Sequence, residues 1–379
     1  MRLVGCVVAA MISTAGLGGT VGQFTGHSDI GEPASRGTAS YDTASRAYRI
    51  TGVGRNMWGG SDEFHFAWKR MSGDVVADAR LDFTTSAPPP GAGGYLHRKG
   101  GIVLRQDLDP DSAYVDALRM GNQQMSLQYR EVKGGPTRLI WVNTSRQDSV
   151  RLVKIGDFAY LHIAGADGKL RTAGGSFKLR ITGSYYIGLG VCPHDDKASE
   201  TMVFHNVRVT PLPRKWRKPH GETLQTVNIA NAAEQTVIYH SRRPIVTEGW
   251  SLDNRWIYFK SGRAVLRATA WDSATVDSTN PGDKPAFAHS YRQLLRMAEL
   301  GSSKRLSPDG KWVAYLTRET IATAIDSDQE VLLKIAPVVN GLPSSMKAST
   351  LVKLWGNGSS LPSQAWSPDS KTIAFVSRD

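Results

Sequence analysis

The sequence predicts an all-β protein of two successive bodies, and three observations predict it. From about residue 29 to residue 211, short segments alternate apolar and polar residues with a period of two, and clusters of Gly, Pro, Asp and Ser separate them. After residue 250 one hairpin-like sequence recurs three times. Helical periodicity is nearly absent. A chain of 379 residues, 40% hydrophobic and 21% charged, is ordinary globular material, and its 38 glycines and 18 prolines suit many turns rather than disorder. The length exceeds one typical core, which favours two.

Met1 to about Gly22 carries one basic residue, Arg2, then an uncharged run rich in Val, Ala, Met, Ile and Gly, and the first acidic residue is Asp29. This reads as a signal peptide over residues 1–22, cleaved between Ala15 and Gln23, so a periplasmic or secreted bacterial protein is expected. The run is short and glycine-broken for a bilayer span and no other stretch approaches one, so no membrane span is expected after the leader. Leu3-Val4-Gly5-Cys6 has the form of a lipidation box, but the hydrophobic segment follows it instead of preceding it, which argues against lipid attachment. A buried first strand would need a period of two that the run lacks.

In the next stretch, Phe64, Phe66 and Trp68 share one phase of a strand and Glu63, His65, Ala67 and Lys69 the other, the pattern of a sheet half buried against a second layer. Val75 to Phe83, Gly101 to Arg105, Ser126 to Arg130, Leu152 to Ile155, Tyr160 to Ala164, Ser176 to Ile181, Tyr185 to Val191 and Met202 to Val209 continue the series. Turn signals such as Ser72-Gly73-Asp74, Lys133-Gly134-Gly135-Pro136 and Thr182-Gly183 part them. Strands at this density over residues 25–212 predict two packed antiparallel sheets, because each must bury its apolar face. Ser86 to Gly94, three prolines and then glycines, predicts a surface loop.

Residues 213–222, with Arg214, Lys215, Arg217 and Lys218 around Trp216, read as a basic, Pro-rich linker, with a patch for an anionic polymer as the other reading. Beyond it, Trp250-Ser251-Leu252-Asp253-Asn254-Arg255-Trp256-Ile257-Tyr258-Phe259 aligns without gaps with the segments beginning at Leu306 and Trp366. In Ser-Pro-Asp-Gly the proline presets φ, the aspartate caps the bend and the glycine accepts positive φ; an alternating strand follows. Such a hairpin cannot bury its own apolar face and must stack on its copies, as propeller blades do. The serines are 56 and 60 residues apart, against about 40–45 for a simple blade. The 157 residues of 223–379 suffice for three or four blades, too few for a comfortable closed ring.

Ser28-Asp29-Ile30-Gly31, Tyr48 to Trp58, Asp62-Glu63-Phe64, Arg98 to Arg105, Ser126 to Arg130 and Gly188 to His194 resemble the concanavalin-A-like jelly-roll domain of unknown function related to the C-terminal domain of β-xylosidases. The second half resembles TolB-type propeller proteins of the biopolymer-transporter class, Trp366 to Val376 most closely. The resemblance implies a concanavalin-A-like jelly-roll sandwich followed by a short, incomplete TolB-like β-propeller of three to four blades. A full propeller of that type is expected to have six blades, and Trp271 to Leu300 lacks the blade motif. The N-terminal α/β domain of TolB is also missing, so a role in the Tol–Pal envelope system does not follow.

No catalytic constellation emerges. A jelly-roll glycosidase needs two carboxylates at a set separation, often as Glu-x-Asp-x-x-Glu on one strand, and no such run occurs; Asp62 and Glu63 are adjacent and face opposite sides. Gly-x-Ser-x-Gly, His-Glu-x-x-His and Cys-x-x-Cys are all missing, so no cofactor and no metal is expected. Cys6 lies in the leader, and Cys192 beside His194 reads as a packed thiol rather than a nucleophile. Saccharide recognition needs an aromatic plane and planar polar side chains. Arg105, Gln128 and Arg130 occupy the polar phase opposite Leu104, Leu127 and Tyr129, and with His194, Trp58 and Tyr95 they form the candidate sugar face; a merely solvated sheet surface is the plainer alternative. Trp250, Trp256, Trp312 and Trp366, and Asp253, Asp309 and Asp369, recur with the repeat and read as packing and turn residues.

With 46 Lys and Arg against 34 Asp and Glu the net charge is +12, which suits an anionic envelope polymer as well as it suits nucleic acid, and no nucleic-acid-reading module is present. The expectation is a non-catalytic exported binding protein, the jelly roll recognising carbohydrate or envelope polymer and the propeller meeting a protein partner. The alternative is a glycan-acting hydrolase with carboxylates from separated loops.

Overall fold

The computed structural model describes residues 18–84, 96–142, 148–164, 170–179, 181–213, 221–269, 276–278, 302–318, 329–339, 342–344, 347–356 and 364–378. Residues 1–17 of the expected leader, the loop 86–94, Tyr95 and the basic residues 214–218 lie outside them. The described residues are all-β. No helix among them is long and apolar enough to cross a membrane.

The first body opens with β1 (Gly26–Ile30), β2 (Thr38–Asp42), β3 (Ala47–Gly52) and a two-rung hairpin of β4 (Met57–Trp58) and β5 (Ser61–Asp62). β6 (Phe64–Ser72) and β7 (Val75–Phe83) follow, parted by Gly73 at φ 76°, and enter different sheets. β8 (Lys99–Arg105), β9 (Tyr114–Met120), β10 (Met125–Arg130) and β11 (Arg138–Val142) form an antiparallel meander. β12 (Ser149–Ile155), β13 (Phe158–Ala164) and β14 (Leu170–Lys178) form another, and β15 (Ser184–Cys192) and β16 (Glu200–Pro211) return one to each sheet. The first sheet runs β1-β6-β15-β8-β9-β10-β11 and the second β14-β13-β12-β7-β16-β3-β2.

The two sheets pack as a sandwich. Ala67, Ile187, Leu189, Leu104, Val115 and Leu127 of the first share one buried cluster with Ile50, Ala77, Leu81, Leu152, Leu161 and Phe204 of the second. Alternation delivers this: each strand turns one phase inward and the other outward. Phe64 and Phe66 are buried, but they face away from the second sheet, clustered with Ile30, Met57, Val103 and Cys192, and Trp68 packs at the edge of that cluster. Their second layer is the loop 53–63, folded over the outer face of the first sheet. His65 takes the opposite phase and accepts or donates at the seam between sheets, 2.7 Å from Asp29 Oδ1 and 3.1 Å from His27 Nδ1.

The second body comprises β17 (Glu222–Asn228), β18 (Asn231–Ser241), β19 (Ile245–Trp250), β20 (Trp256–Ser261), β21 (Ala264–Thr269) and β22 (Val276–Ser278). It continues through β23 (Ser302–Leu306), β24 (Trp312–Arg318), β25 (Gln329–Val339), β26 (Leu342–Pro343), β27 (Ser349–Gly356), β28 (Gln364–Trp366) and β29 (Thr372–Arg378). They make three four-stranded antiparallel sets: β19-β20-β21-β22, β23-β24-β25-β27 and β28-β29-β17-β18. The third set joins the first strands of this body to its last. β18 also pairs in parallel with β11, so the first sheet of the sandwich continues without a break into the second body as eleven strands. No closed sheet is formed among the described strands.

In each repeat turn the aspartate caps the bend as expected: Asp253, Asp309 and Asp369 Oδ1 accept the amides of Arg255, Lys311 and Lys371 at 3.1 Å. Ser251, Ser307 and Ser367 donate Oγ to the aspartate two residues on at 2.5, 2.7 and 2.6 Å, and each accepts the amide of Trp256, Trp312 or Thr372 at 2.9 Å. Asn254, Gly310 and Ser370 occupy the equivalent positive-φ position, at 59°, 71° and 61°.

Candidate functional site

The outer face of the first sheet carries three of the expected sugar-face residues, and the structure covers them. Arg105 and Arg130 are 0% exposed and Gln128 is 1% exposed. The hairpin β4–β5 lies across β8, β9 and β10 and brings Asp62 to the two guanidiniums. Arg130 Nη2 and Nη1 donate to Asp62 Oδ1 and Oδ2 at 2.7 and 2.9 Å, and Arg105 Nη1 donates to Oδ2 at 3.4 Å. Arg130 also donates to Gly59 O from Nε at 3.1 Å and from Nη2 at 2.9 Å. Arg105 donates to the carbonyls of Asp107 and Asp109. This corrects the expectation of an open or solvated face: two buried cations need an anion and carbonyls beside them, and the loop supplies both.

The local sequence explains why the loop can lie so low. Gly101 and Gly190 pair across β8 and β15, and a Cβ at Gly190 would come within 2.8 Å of Phe64 and of Val103. Glycine at this point lets the Phe64 ring settle between sheet and loop.

Lys99 and Asp116 share the covered face. Lys99 Nζ donates to Asn56 Oδ1 at 2.9 Å, and burial pulls its ammonium below the usual lysine range, with Cys192 and Asp116 opposing. Burial pushes the Asp116 carboxyl well above its ordinary value, against the Gln128 amide that donates to Oδ1 at 3.0 Å and against Lys99. Asp116 Oδ2, Ser126 Oγ and Gln128 Oε1 are buried without a hydrogen bond among the described residues.

The remaining candidates lie at the rim or beyond. Trp58 is half-buried, with Lys99 Nζ 6.0 Å from its ring centre. His194, at φ 63°, is half-buried with its ring 5.1 Å from that of His97; burial, then Lys99 and His97, lower its pKa. Tyr95 lies outside the described residues. Cys192 is buried, with Sγ 3.4 Å from Glu63 O and 3.5 Å from Gly54 O, and burial raises its thiol to about 11. Among the described residues no group of three or more His, Cys, Asp or Glu side chains could hold a metal.

An open groove of about 430 Å³ lies elsewhere, on the outer face of the second sheet. Strand register builds it. Ser40, Arg49, Val203 and Asp82 stand in one row across β2, β3, β16 and β7, with about 5 Å between strands. Asp42 and Ala47 oppose each other one pleat away, where His205 opposes Arg80. Ala47 and Val203 leave the floor low, Phe83 lies at one end, and the polar side chains rise around it.

Arg49 is exposed and has no hydrogen bond or ion pair among the described residues. Asp82 is flanked by Arg80, His205 and Arg119 at 3.2, 3.6 and 3.8 Å. The amide of Ala44, then the hydroxyl and amide of Ser45, hold the Asp42 carboxyl below its usual range. Such a surface offers a free guanidinium, carboxylate oxygens and hydroxyls to a hydroxyl-bearing ligand. The sequence pattern singled out none of these residues, although the polar phase of β7, Asp78, Arg80 and Asp82, was readable.

No protein-family model matches the chain. No curated protein matches it. Among solved structures it is similar to a functionally unknown protein from Saccharomyces cerevisiae, at 13% identity and a TM-score of 0.37, over 49% of this chain and 97% of that one. It is similar to the carbohydrate-binding module CBM66 from Bacillus subtilis at 16% identity and a TM-score of 0.32, over 49% of this chain and 96% of that one. A family 7 alginate lyase, A1-II′, gives 12% identity and a TM-score of 0.33 over 47% of this chain and 83% of that one. Likenesses at this level establish neither family nor activity.

Proposed function

We propose that this is a non-catalytic, exported binding protein whose concanavalin-A-like sandwich takes a saccharide chain, or a polyhydroxylated envelope polymer, in the groove on its second sheet. The observation that carries the reading is the row Ser40–Arg49–Asp82 with His205 and Asp42 beside it: several polar side chains and an unpaired guanidinium converge on an open floor. A linear glycan fits such a groove because its hydroxyls need planar partners along one line. The second body, read as a three-bladed TolB-like propeller, presents its loops to a protein partner. The third set of strands supports that reading, since it joins the beginning of the body to its end.

Asp42 and Asp82 share the groove, as the hydrolase alternative requires. A general acid needs a raised pKa, and the turn amides lower that of Asp42.

The test is a glycan-array screen of the full chain, followed by a turnover assay on the glycans retained. Binding without turnover is expected, with Arg49→Ala weakening it about tenfold or more, the value of a charge-assisted hydrogen bond. Turnover lost in Asp82→Asn would establish the hydrolase instead. Binding indifferent to both Arg49→Ala and His205→Ala would overturn the groove.

A further inference from the structure

The third repeat turn is hydrogen-bonded to each of the other two. Asp309 N donates to Ser370 Oγ at 3.0 Å, tying the second turn to the third, and Asp369 N donates to Asn254 Oδ1 at 3.4 Å, tying the third to the first. The acceptor in each case is the residue at the positive-φ position. The tryptophans preceding the turns repeat the arrangement: Trp366 Nε1 donates to Arg305 O at 3.0 Å and Trp250 Nε1 donates to Ala365 O at 3.2 Å.

The link between the first and second turns would need an acceptor side chain at residue 310 for Asp253 N and an indole at residue 306. Gly310 and Leu306 stand there. Packing follows the same division. One buried cluster joins β24, β25 and β27 to β17 and β29, and another joins β19 and β20 to β17 and β29, while no cluster among the described residues joins β19–β22 to β23–β27. Exposure agrees: Ser307 and Ser367 are buried, Ser251 is half-buried, and Leu252 in the first turn is 80% exposed.

We infer that the second body is a hinged array in which β28-β29-β17-β18 is the spine, latched to each of the other two sheets, and in which the joint between the first and second repeats is unlatched. Among the described residues, neither the amide-to-side-chain link nor the indole link that ties the other two joints has to break for the outer sheets to part there. Opening is confined to that joint because the other two each hold a backbone amide, an indole N–H and an apolar cluster.

Amide hydrogen exchange on the full chain tests it. The Asp253 amide is expected to exchange at least about tenfold faster than those of Asp309 and Asp369, the effect of one lost hydrogen bond in a locally opening region. Gly310→Asn supplies the missing acceptor at a φ that asparagine tolerates, as Asn254 does; it should slow Asp253 toward the other two. Asn254→Gly and Ser370→Gly keep the backbone conformation and should free Asp369 and Asp309 respectively. Equal protection of all three amides in the unmodified chain would overturn the inference. So would a folded Gly310→Asn chain whose Asp253 exchange is unchanged, or glycine variants that leave Asp369 and Asp309 protected.

Discussion

Asp62 answers two guanidiniums where water does not reach, and removing it leaves both without their anion. Breaking a buried pair by deleting one partner costs about 3–5 kcal/mol. Asp62→Ala should therefore lower stability by that amount in urea unfolding, whereas Arg49→Ala, on an exposed side chain, should change it by less than about 0.5 kcal/mol. The contrast separates the covered face from the open groove.

Cys192 makes a second residue-scale expectation. With its thiol raised to about 11 and its Sγ enclosed by the carbonyls of Gly54 and Glu63, it should resist a thiol reagent at pH 8 until the chain is unfolded.

Two histidines set a pH dependence. Burial, then the neighbouring His65, holds the His27 pKa below its ordinary value, with Asp29 opposing, and burial does the same at His194. The unfolded chain takes up these protons first as pH falls. Stability is then whole above about pH 6.5 and declines below it through the lowered folded pKa. A lower urea midpoint at pH 5 than at pH 7.5, with the gap narrowed in His27→Asn, is the expected result.

Among the elements, the loop 53–63 decides which face is available. Its placement depends on Gly190 beneath Phe64, so Gly190→Ala should overpack that layer and cost about 1–3 kcal/mol in thermal or urea unfolding. The strand phases of β7, β8, β10, β15 and β16 were legible in the sequence because their alternation is clean between turn residues. β9 was not, since the buried Asp116 interrupts the apolar phase as a turn residue would. β11 was hidden for a different reason: it is paired on one side by β10 and on the other by a strand from beyond residue 230, a partnership no local pattern announces. Arg105, Gln128 and Arg130 stand on the outward phase that alternation predicts, opposite the core-facing Leu104, Leu127 and Tyr129. What that phase meets could not be read, because alternation says which side chains leave the core and not whether a loop returns over them.

Across the whole molecule, the parallel pairing of β11 with β18 makes the two bodies share one sheet. Trp141 Nε1 donates to Glu234 Oε2 at 3.3 Å, and Lys353 lies 3.1 Å from Glu131 across the same junction. Calorimetry of the full chain should give overlapping, coupled unfolding of the two bodies, and two well-separated transitions would contradict the shared sheet. Residues 25–212 made alone would leave the β11 edge unpaired, and self-association of that fragment is expected in sedimentation.

The position of a bound oligosaccharide in a crystal of the full chain, grown with the glycan the array selects, is the most direct measurement. The account predicts sugar density along Ser40, Arg49 and Asp82 with the loop 53–63 unmoved. Density against Trp58 and Arg130, with Asp62 withdrawn from its arginines, would contradict it.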